Sequence, residues 1–375
     1  MRIENKLLRN DEKTIFELRS LYEKYGYAPY KMSKFEEYDL YVKNKDFLVS
    51  ENIITFTDTS GKLMALKPDV TLSIIKSSQD TTGYTQKVYY NENVYRVSKS
   101  TDAFKEIMQV GLECIGDIDS YSIYEVLFLA MESLGVISDD FVLDISHMGI
   151  ILEMIKELEL ESDDEKEILK CIGEKNAHQI MSICKMSGAD MEKAEKVARL
   201  SHLYGSGEKV LKTLKEIAPK ECSDAIDELE NIVSLLEKSA SCRGKIHIDF
   251  SVVNDMGYYN GIVFKGFVNT ISEGILSGGQ YDKLMKKMKR KSRAIGFAVY
   301  PDLLERLTED DKEYDVDALV LYDENTDLKL LKGAVEKLTN EGKSVTAQKC
   351  VPDKLRYRQL LKINERGLEE IENDA

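Results

Sequence analysis

The chain contains no tryptophan, five prolines and four histidines in 375 residues. Those histidines (His147, His178, His202 and His247) lie far apart without metal-ligand spacing, so no metal site is expected. The six cysteines (Cys114, Cys171, Cys184, Cys222, Cys242 and Cys350) are scattered and form no CxxC pair. With no secretion signal they read as reduced thiols, several at apolar positions. No apolar run reaches membrane-spanning length, and the opening MRIENKLLRNDEK lacks the apolar core of a signal peptide. A cytoplasmic protein without a membrane partner is therefore expected. Positive charge is short as well: 52 Lys and Arg against 67 Asp and Glu give −15. A nucleic-acid binder usually needs a basic surface to displace counterions from phosphates. The one strongly basic stripe, KLMKKMKRKSR (283–293), reads first as a solvated helix end and loop. Internal repeats and low-complexity segments are also missing.

What remains is an ordinary soluble balance, 43% hydrophobic and 32% charged, in a chain long enough for two or three domains. Residues 11–25 carry Ile15, Leu18, Leu21, Tyr22 and Tyr25 on one helical face, with Asn10 or Asp11 as cap and Gly26 at the end. Residues 53–67 alternate as a hairpin turning at Asp58-Thr59-Ser60-Gly61, and a helix should follow Pro68. Strands are expected at 87–97 and 105–116, a polar loop at 98–104, and a helix at 121–136 ending near Gly135. Residues 153–241, rich in Glu, Lys and Leu, read as a helical insertion. Strand-like alternation returns at 245–270, a turn is expected at Gly278-Gly279, a helix at 281–289, and a strand or helix start at 293–299. From about residue 314 the pattern reads β-α-β-α, ending in a polar helix. The expected organisation is a core in two parts (1–152 and 243–310), a helical insertion (153–242) and a small C-terminal α/β module (311–375). Antiparallel-looking strands with helices at intervals argue an α+β fold.

Segment 105–116, KEIMQVGLECIG, carries polar groups in strand register. Alternate residues share a face. Met108, Val110, Leu112 and Cys114 therefore form an apolar face, and Ile107, Gln109, Gly111, Glu113 and Ile115 the other. A glycine between an amide and a carboxylate leaves a gap where a small polar ligand could approach the backbone. The simpler account of this segment alone is a half-exposed sheet whose polar face meets water. Asp69 in LKPDVT could likewise be only a helix N-cap. The pair Tyr258-Tyr259, between Gly257 and Gly261, is more often packing than recognition.

The order of these segments carries a resemblance. KVYYNENVYR…KEIMQVGLECIG (87–116) resembles motif 2 of the class II histidyl-tRNA synthetases, and LKPDVT (66–71) resembles their Leu-Arg-Pro-Glu-x-Thr. DMGYYNGIVF (255–264) is similar to their Arg-Gly-Leu-Asp-Tyr-Tyr-x-x-x-x-Phe, SGGQYDKL (277–284) to Gly-Gly-Arg-Tyr-Asp, and AIGFAV (294–299) to the opening of motif 3. The resemblance covers about residues 5 to 308 and implies a class II synthetase-like antiparallel sheet flanked by helices. Carried over residue by residue, it places a histidine pocket on Asp69, Thr71, Gln109, Glu113 and Tyr259 with Tyr258 adjacent, and a vestigial ATP-phosphate contact on Arg96.

The departures from the family pattern fall on the chemistry. The family's catalytic arginine becomes Asn254, and the motif 3 arginine becomes Leu303, with Arg306 out of register by three. The acidic residue after the motif 2 arginine becomes Ser98, the motif 2 loop arginine becomes Lys105 or is lost, and the motif 1 proline becomes Ser33. Amino-acid activation builds negative charge on phosphorus, and losing one fixed cation there costs orders of magnitude in rate. The C-terminal module is also too small and acidic for a tRNA-binding domain, so tRNA binding is not expected. The whole pattern resembles the regulatory-subunit family of ATP phosphoribosyltransferase. That resemblance implies no catalysis and no cofactor. It implies a short-form catalytic subunit as partner, L-histidine as effector, and a homodimer within a hetero-oligomer. An active or degenerate histidyl-tRNA synthetase and a free-standing histidine sensor are the rival readings. KMSK (31–34) and HMGI (147–150) match class I synthetase signatures, but they stand in reversed order with no nucleotide-binding βαβ before them, and are coincidental.

Overall fold

The computed structural model describes residues 9–44, 53–80, 83–97, 103–253, 258–269, 271–307, 313–364 and 367–373. Two compact units divide the chain, residues 1–307 and 308–375.

The first unit opens with α1 (Asn10–Lys24), which buries Ile15, Leu18 and Tyr22 along one face. Its cap is neither Asn10 nor Asp11. Arg9 holds that place, its backbone N–H donating to the Glu12 carboxylate (3.0 Å), because the helix already includes residue 10. Short strands β1 (Ala28–Pro29) and β2 (Phe35–Glu37) and helix α2 (Tyr38–Val42) follow. The hairpin of β3 (Thr55–Thr57) and β4 (Leu63–Leu66) turns where expected, with Asp58 Oδ1 accepting the backbone N–H of Ser60 and Lys62 (both 2.8 Å). These three strands form a small sheet ordered β2-β4-β3. Next come α3 (Thr71–Ser77), β5 (Gln86–Val97), β6 (Phe104–Gly116), α4 (Ser120–Ile137) and β7 (Phe141–His147).

Helices α5 (Met148–Lys156), α6 (Ser162–Gly173), α7 (Ala177–Met186), α8 (Met191–Leu200), α9 (Gly207–Ile217) and α10 (Ser223–Glu237) follow, with a two-residue strand β8 (Tyr204–Gly205) among them. His147 ends β7 and caps α5. Its Nδ1 accepts the Gly149 N–H (3.1 Å) and its Nε2 meets Glu228 (3.0 Å), so the HMGI tetrapeptide is a strand-to-helix joint. The chain then returns through β9 (Ile246–Asp249), β10 (Ile262–Val268), β11 (Leu276–Gln280), α11 (Asp282–Lys287) and β12 (Arg293–Val299) to a 3-10 helix, Pro301–Leu307. The main sheet has the order β1-β5-β6-β12-β11-β10-β7-β9-β8 and is antiparallel except at β1/β5 and β7/β9. Strands from before and after the helical segment pair directly, β6 with β12 and β7 with β10. This is the α+β, class II synthetase-like sheet that the resemblance implied.

One face of that sheet packs on α1 and α4. Val110, Leu112 and Cys114 of β6 point there with Phe297 and Val299 of β12. Helix α4 is long and apolar enough, by length and composition alone, to cross a membrane, contrary to the expectation that no such run exists. Its Val126, Leu127, Leu129, Ala130 and Leu134 are fully buried in this core. The basic stripe does not form a free cationic surface at its arginines. Arg290 donates to the carbonyls of Ile75 and Lys76, and Arg293 to Asp282 and the carbonyl of Ile118.

Gly278-Gly279 does not turn; both residues lie inside β11. Gly278 sits in a row between Phe264 and Phe297. A Cβ there would fall 2.4 Å from the Gly296 carbonyl and 2.7 Å from Phe264 Cζ. Glycine therefore serves close packing at this position. In sequence, a glycine pair carries the same signal for a turn as for a tight strand.

The second unit holds β13 (Val316–Leu321), α12 (Leu328–Asn340), β14 (Val345–Gln348), β15 (Tyr357–Asn364) and β16 (Gly367–Asn373), with sheet order β14-β13-β15-β16. The expected terminal helix is instead the β15–β16 hairpin. Leu361 and Ile363 alternate into the small core with Ala318, Val320 and Leu338, a period of two where 3.6 was expected.

Gly278→Ala should lower stability by about 1–3 kcal/mol, because neither the carbonyl nor the rings can retreat freely. Gly135→Ala, inside α4 with only an ordinary contact to Phe141 at 3.6 Å, should raise it by about 0.5–1 kcal/mol. Urea denaturation of both variants checks the opposite signs.

Candidate functional site

Residues paired across antiparallel strands share a face. On the face away from α1 and α4, one row runs Val263–Gly279–Gly296–Glu113 and the next Lys265–Ser277–Ala298–Gly111. Most of these residues are small, so the sheet presents a shallow floor. Glu113 is its central polar group. The carboxylate lies flat over Gly296, where a Cβ would fall 1.8 Å from Glu113 Oε2. Thr71 donates to Oε1 (2.9 Å) and Tyr281 to Oε2 (2.5 Å). Only 2% of the residue is exposed, and desolvation outweighs both hydrogen bonds, so its pKa rises from 4.5 to about 8. At neutral pH this carboxyl is largely protonated.

The loop ahead of α3 is tied to β5 at three points. The Lys67 carbonyl accepts the Tyr95 N–H (2.8 Å), the Lys67 ammonium meets Glu92 (2.9 Å), and Arg96 Nε donates to the Pro68 carbonyl (3.0 Å). Lys67 is completely buried, and desolvation lowers its pKa. These tethers place Asp69 and Thr71 against the floor. Asp69 Oδ1 accepts the Leu72 N–H (2.9 Å), so it does brace the helix start. It is also buried beside Glu113, and desolvation holds its pKa above the ordinary range despite the nearby Arg96.

Asp69, Thr71, Glu113, Tyr258 and Tyr259 thus come together, and Gln109 stands on the same face of β6 four pairs further along, about 13 Å by strand rise. The half-exposed sheet does not survive: Gln109 is 5% exposed, and its side chain makes no hydrogen bond among the described residues. Nor is Gly111 an open gap. Tyr90, its cross-strand partner, lays its hydroxyl 2.6 Å from where a Cβ would sit. Tyr258 and Tyr259 meet edge to face (4.6 Å between centroids), with Thr71 within hydrogen-bonding reach of Tyr258. Tyr259 packs over Gly279. Arg96 is committed to the loop backbone through Nε, beside Asp69.

The reading of the residues missed Tyr281, Lys67 and Tyr90. Tyr281 stands inside the SGGQYDKL motif, where it matches the family's tyrosine, and a large residue opposite a strand glycine was the available signal for Tyr90. Of the departures, Leu303 packs partly buried against the main core, and Lys105 is exposed on β6. Asn254 and Ser98 lie outside the described residues. Among the described residues, no group of three or more His, Cys, Asp or Glu is placed to hold a metal.

The histidyl-tRNA synthetase family model matches residues 5–304. The chain is 32% identical over 340 residues to the ATP phosphoribosyltransferase regulatory subunit of Thermoanaerobacter pseudethanolicus, covering 87% of each chain. It is 29% identical over 318 residues to the one from Oceanobacillus iheyensis, covering 83% of this chain and 78% of that one. In structure it is similar to an ATP phosphoribosyltransferase regulatory subunit/histidyl-tRNA synthetase from Bacillus halodurans, with a TM-score of 0.73 at 24% identity over 94% of this chain and 93% of that one.

Glu113 holds in the folded state a proton that the unfolded chain loses near pH 4.5. Its contribution to stability is complete below that value and disappears as pH rises through about 8. Between about pH 5 and about pH 8.5, the urea midpoint of the native protein should fall further than that of Glu113→Gln. Equal falls would mean that Glu113 is ionised throughout.

Proposed function

We propose that this chain, which belongs to the histidyl-tRNA synthetase family and within it to the ATP phosphoribosyltransferase regulatory subunits, is the non-catalytic partner of a short ATP phosphoribosyltransferase catalytic subunit. In that role it is required for the first step of histidine biosynthesis and transmits feedback by histidine. It works in the cytoplasm, as a homodimer within a hetero-oligomer.

The observation that carries this reading is the contrast between the kept floor and the lost cation. Asp69, Thr71, Glu113 and Tyr259 lie together, with Gln109 buried further along the same face of β6, an arrangement that would suit an amino-acid ligand. The position of the motif 3 arginine holds Leu303, which packs on the core. Transfer to phosphorus needs fixed positive charge. An amino-acid sensor does not. In such a sensor, histidine that binds one state of the complex more tightly than another couples this floor to the distant catalytic site through a shared free energy.

Reconstitution tests the reading. The short catalytic subunit should be inactive alone, active with this chain, and inhibited by histidine only when both are present. Histidine-dependent ATP–pyrophosphate exchange should be absent, and a clear exchange signal would instead make the chain a synthetase. Failure to stimulate any such catalytic subunit would favour a free-standing sensor. Gln109→Ala and Glu113→Ala should each weaken histidine binding roughly 10- to 100-fold, as expected for removing a buried hydrogen bond to a charged ligand. Unchanged calorimetric titrations in both variants would put the effector elsewhere, such as a subunit interface.

A further inference from the structure

A cavity of about 290 Å³ opens on the same face of the sheet, lined by Tyr259, Val263, Lys265, Ser277 and Tyr300 among others. It lies at the small end of the range for ligand sites. Lys265 and Ser277 are paired partners in the row that ends at Gly111, and Val263 begins the row that ends at Glu113. The cavity is therefore a lateral extension of the floor. Its polar groups differ in kind from those at the Glu113 end. Ser277 Oγ and the Tyr300 hydroxyl are 3.0 Å apart, and Lys265 supplies a positive charge.

Lys265 is available for a ligand. Its stem folds across Gly274, where a Cβ would fall 2.1 Å from Lys265 Cε, and its ammonium lies 5.4 Å from the Phe267 ring centroid. Among the described residues no carboxylate lies within ion-pair distance of it. Asp144, its neighbour across β7, is 3.5 Å from His247 instead. Two further cations stand at the acidic end by Asp69, Arg96 bonded to the Pro68 carbonyl and Lys67 paired with Glu92.

An amino-acid ligand brings two charges to this face. Asp69 and Glu113 suit its cationic or hydrogen-bond-donating groups, but a carboxylate left without a cation in a desolvated cleft is costly. Three strand spacings separate β6 from β10, about 14 Å. Lys265 also lies one same-face row along from Glu113, so a small molecule lying obliquely across Gly279 and Ser277 would have both residues at its ends. We propose that Lys265, assisted by Ser277 and Tyr300, recognises the α-carboxylate of the effector, so that a zwitterionic amino acid bridges Glu113 and Gln109 at one end and Lys265 at the other. This assignment rests on the reading of the floor as an amino-acid site.

The test is calorimetric titration of the full chain, alone and in the reconstituted complex, with L-histidine and with L-histidinol, which lacks the carboxylate. The native chain should prefer histidine roughly tenfold, a magnitude typical of one partly exposed charge-assisted bond. Lys265→Met keeps the stem, so it should weaken histidine roughly tenfold, leave histidinol unchanged and abolish the preference. Lys265→Arg should retain most of the preference. A Lys265→Met variant that is natively folded by circular dichroism and still discriminates as the native chain does overturns the assignment, because the carboxylate is then held elsewhere. Binding of neither ligand by the native chain removes the amino-acid site itself, and the role of Lys265 with it.

Discussion

An acidic side chain on a strand interior to the main sheet has to be reconciled with its burial, and much of the site follows from how that is done. Glu113 can lie flat only because Gly296 offers no Cβ beneath it. It is held there by Thr71 from the start of α3 and by Tyr281 from the end of β11. Those two hydroxyls come from separate segments, so Glu113 fastens the start of α3 to the end of a strand that follows the helical segment. Even with both bonds, desolvation keeps the group largely protonated at neutral pH. A neutral acid can donate as well as accept, and it can release its proton when a cationic ligand arrives. The site is thus poised to respond to ligand charge.

The two faces of the sheet divide the remaining work. On the α1/α4 side, Phe264 and Phe297 crowd around Gly278, with Leu112 next in the row, and make a close-packed core. On the other side, glycine, alanine and serine keep the floor low, and tyrosines cover it. Rigidity under a shallow polar surface suits binding one small molecule in a defined orientation. Loop tethers reinforce it. Loss of the partly exposed Glu92 would leave the fully buried Lys67 with an uncompensated charge, so the pair holds the loop carrying Asp69 against β5.

In the proposed role, loss of chemistry and retention of binding would be compatible because they need different groups. Stabilising negative charge on phosphorus depends on cations at particular points, and the motif resemblance sets Leu303, which packs on the core, at one of them. Holding an amino acid would depend instead on a floor and a few polar side chains such as Thr71 and Glu113, which are hydrogen-bonded to each other here. A fold can pass from synthesis to sensing by such substitutions while its sheet stays intact.

The alternation in residues 87–116 and the ordered motifs from LKPDVT to AIGFAV were enough to identify the sheet, the helical segment and most of the floor. Periodicity reports which side of a strand or helix is apolar, and motif order reports how strands are arranged. Neither reports depth. Whether the polar face of β6 meets water or lies buried was decided only when Tyr90, Tyr258, Tyr259 and Tyr281, distant in sequence, closed over it. The same limit explains the errors. Gly278-Gly279 signals a turn until Phe264 and Phe297 are seen on either side. The polar tail looks helical until β13 offers β15 an edge to pair with. The sequence by itself determined the fold, the candidate acid and amide, and the missing arginines, because these are local patterns. The tertiary structure alone decided the protonation of Glu113, the filling of the gap at Gly111 and the availability of Lys265, because each depends on what long-range packing excludes from water.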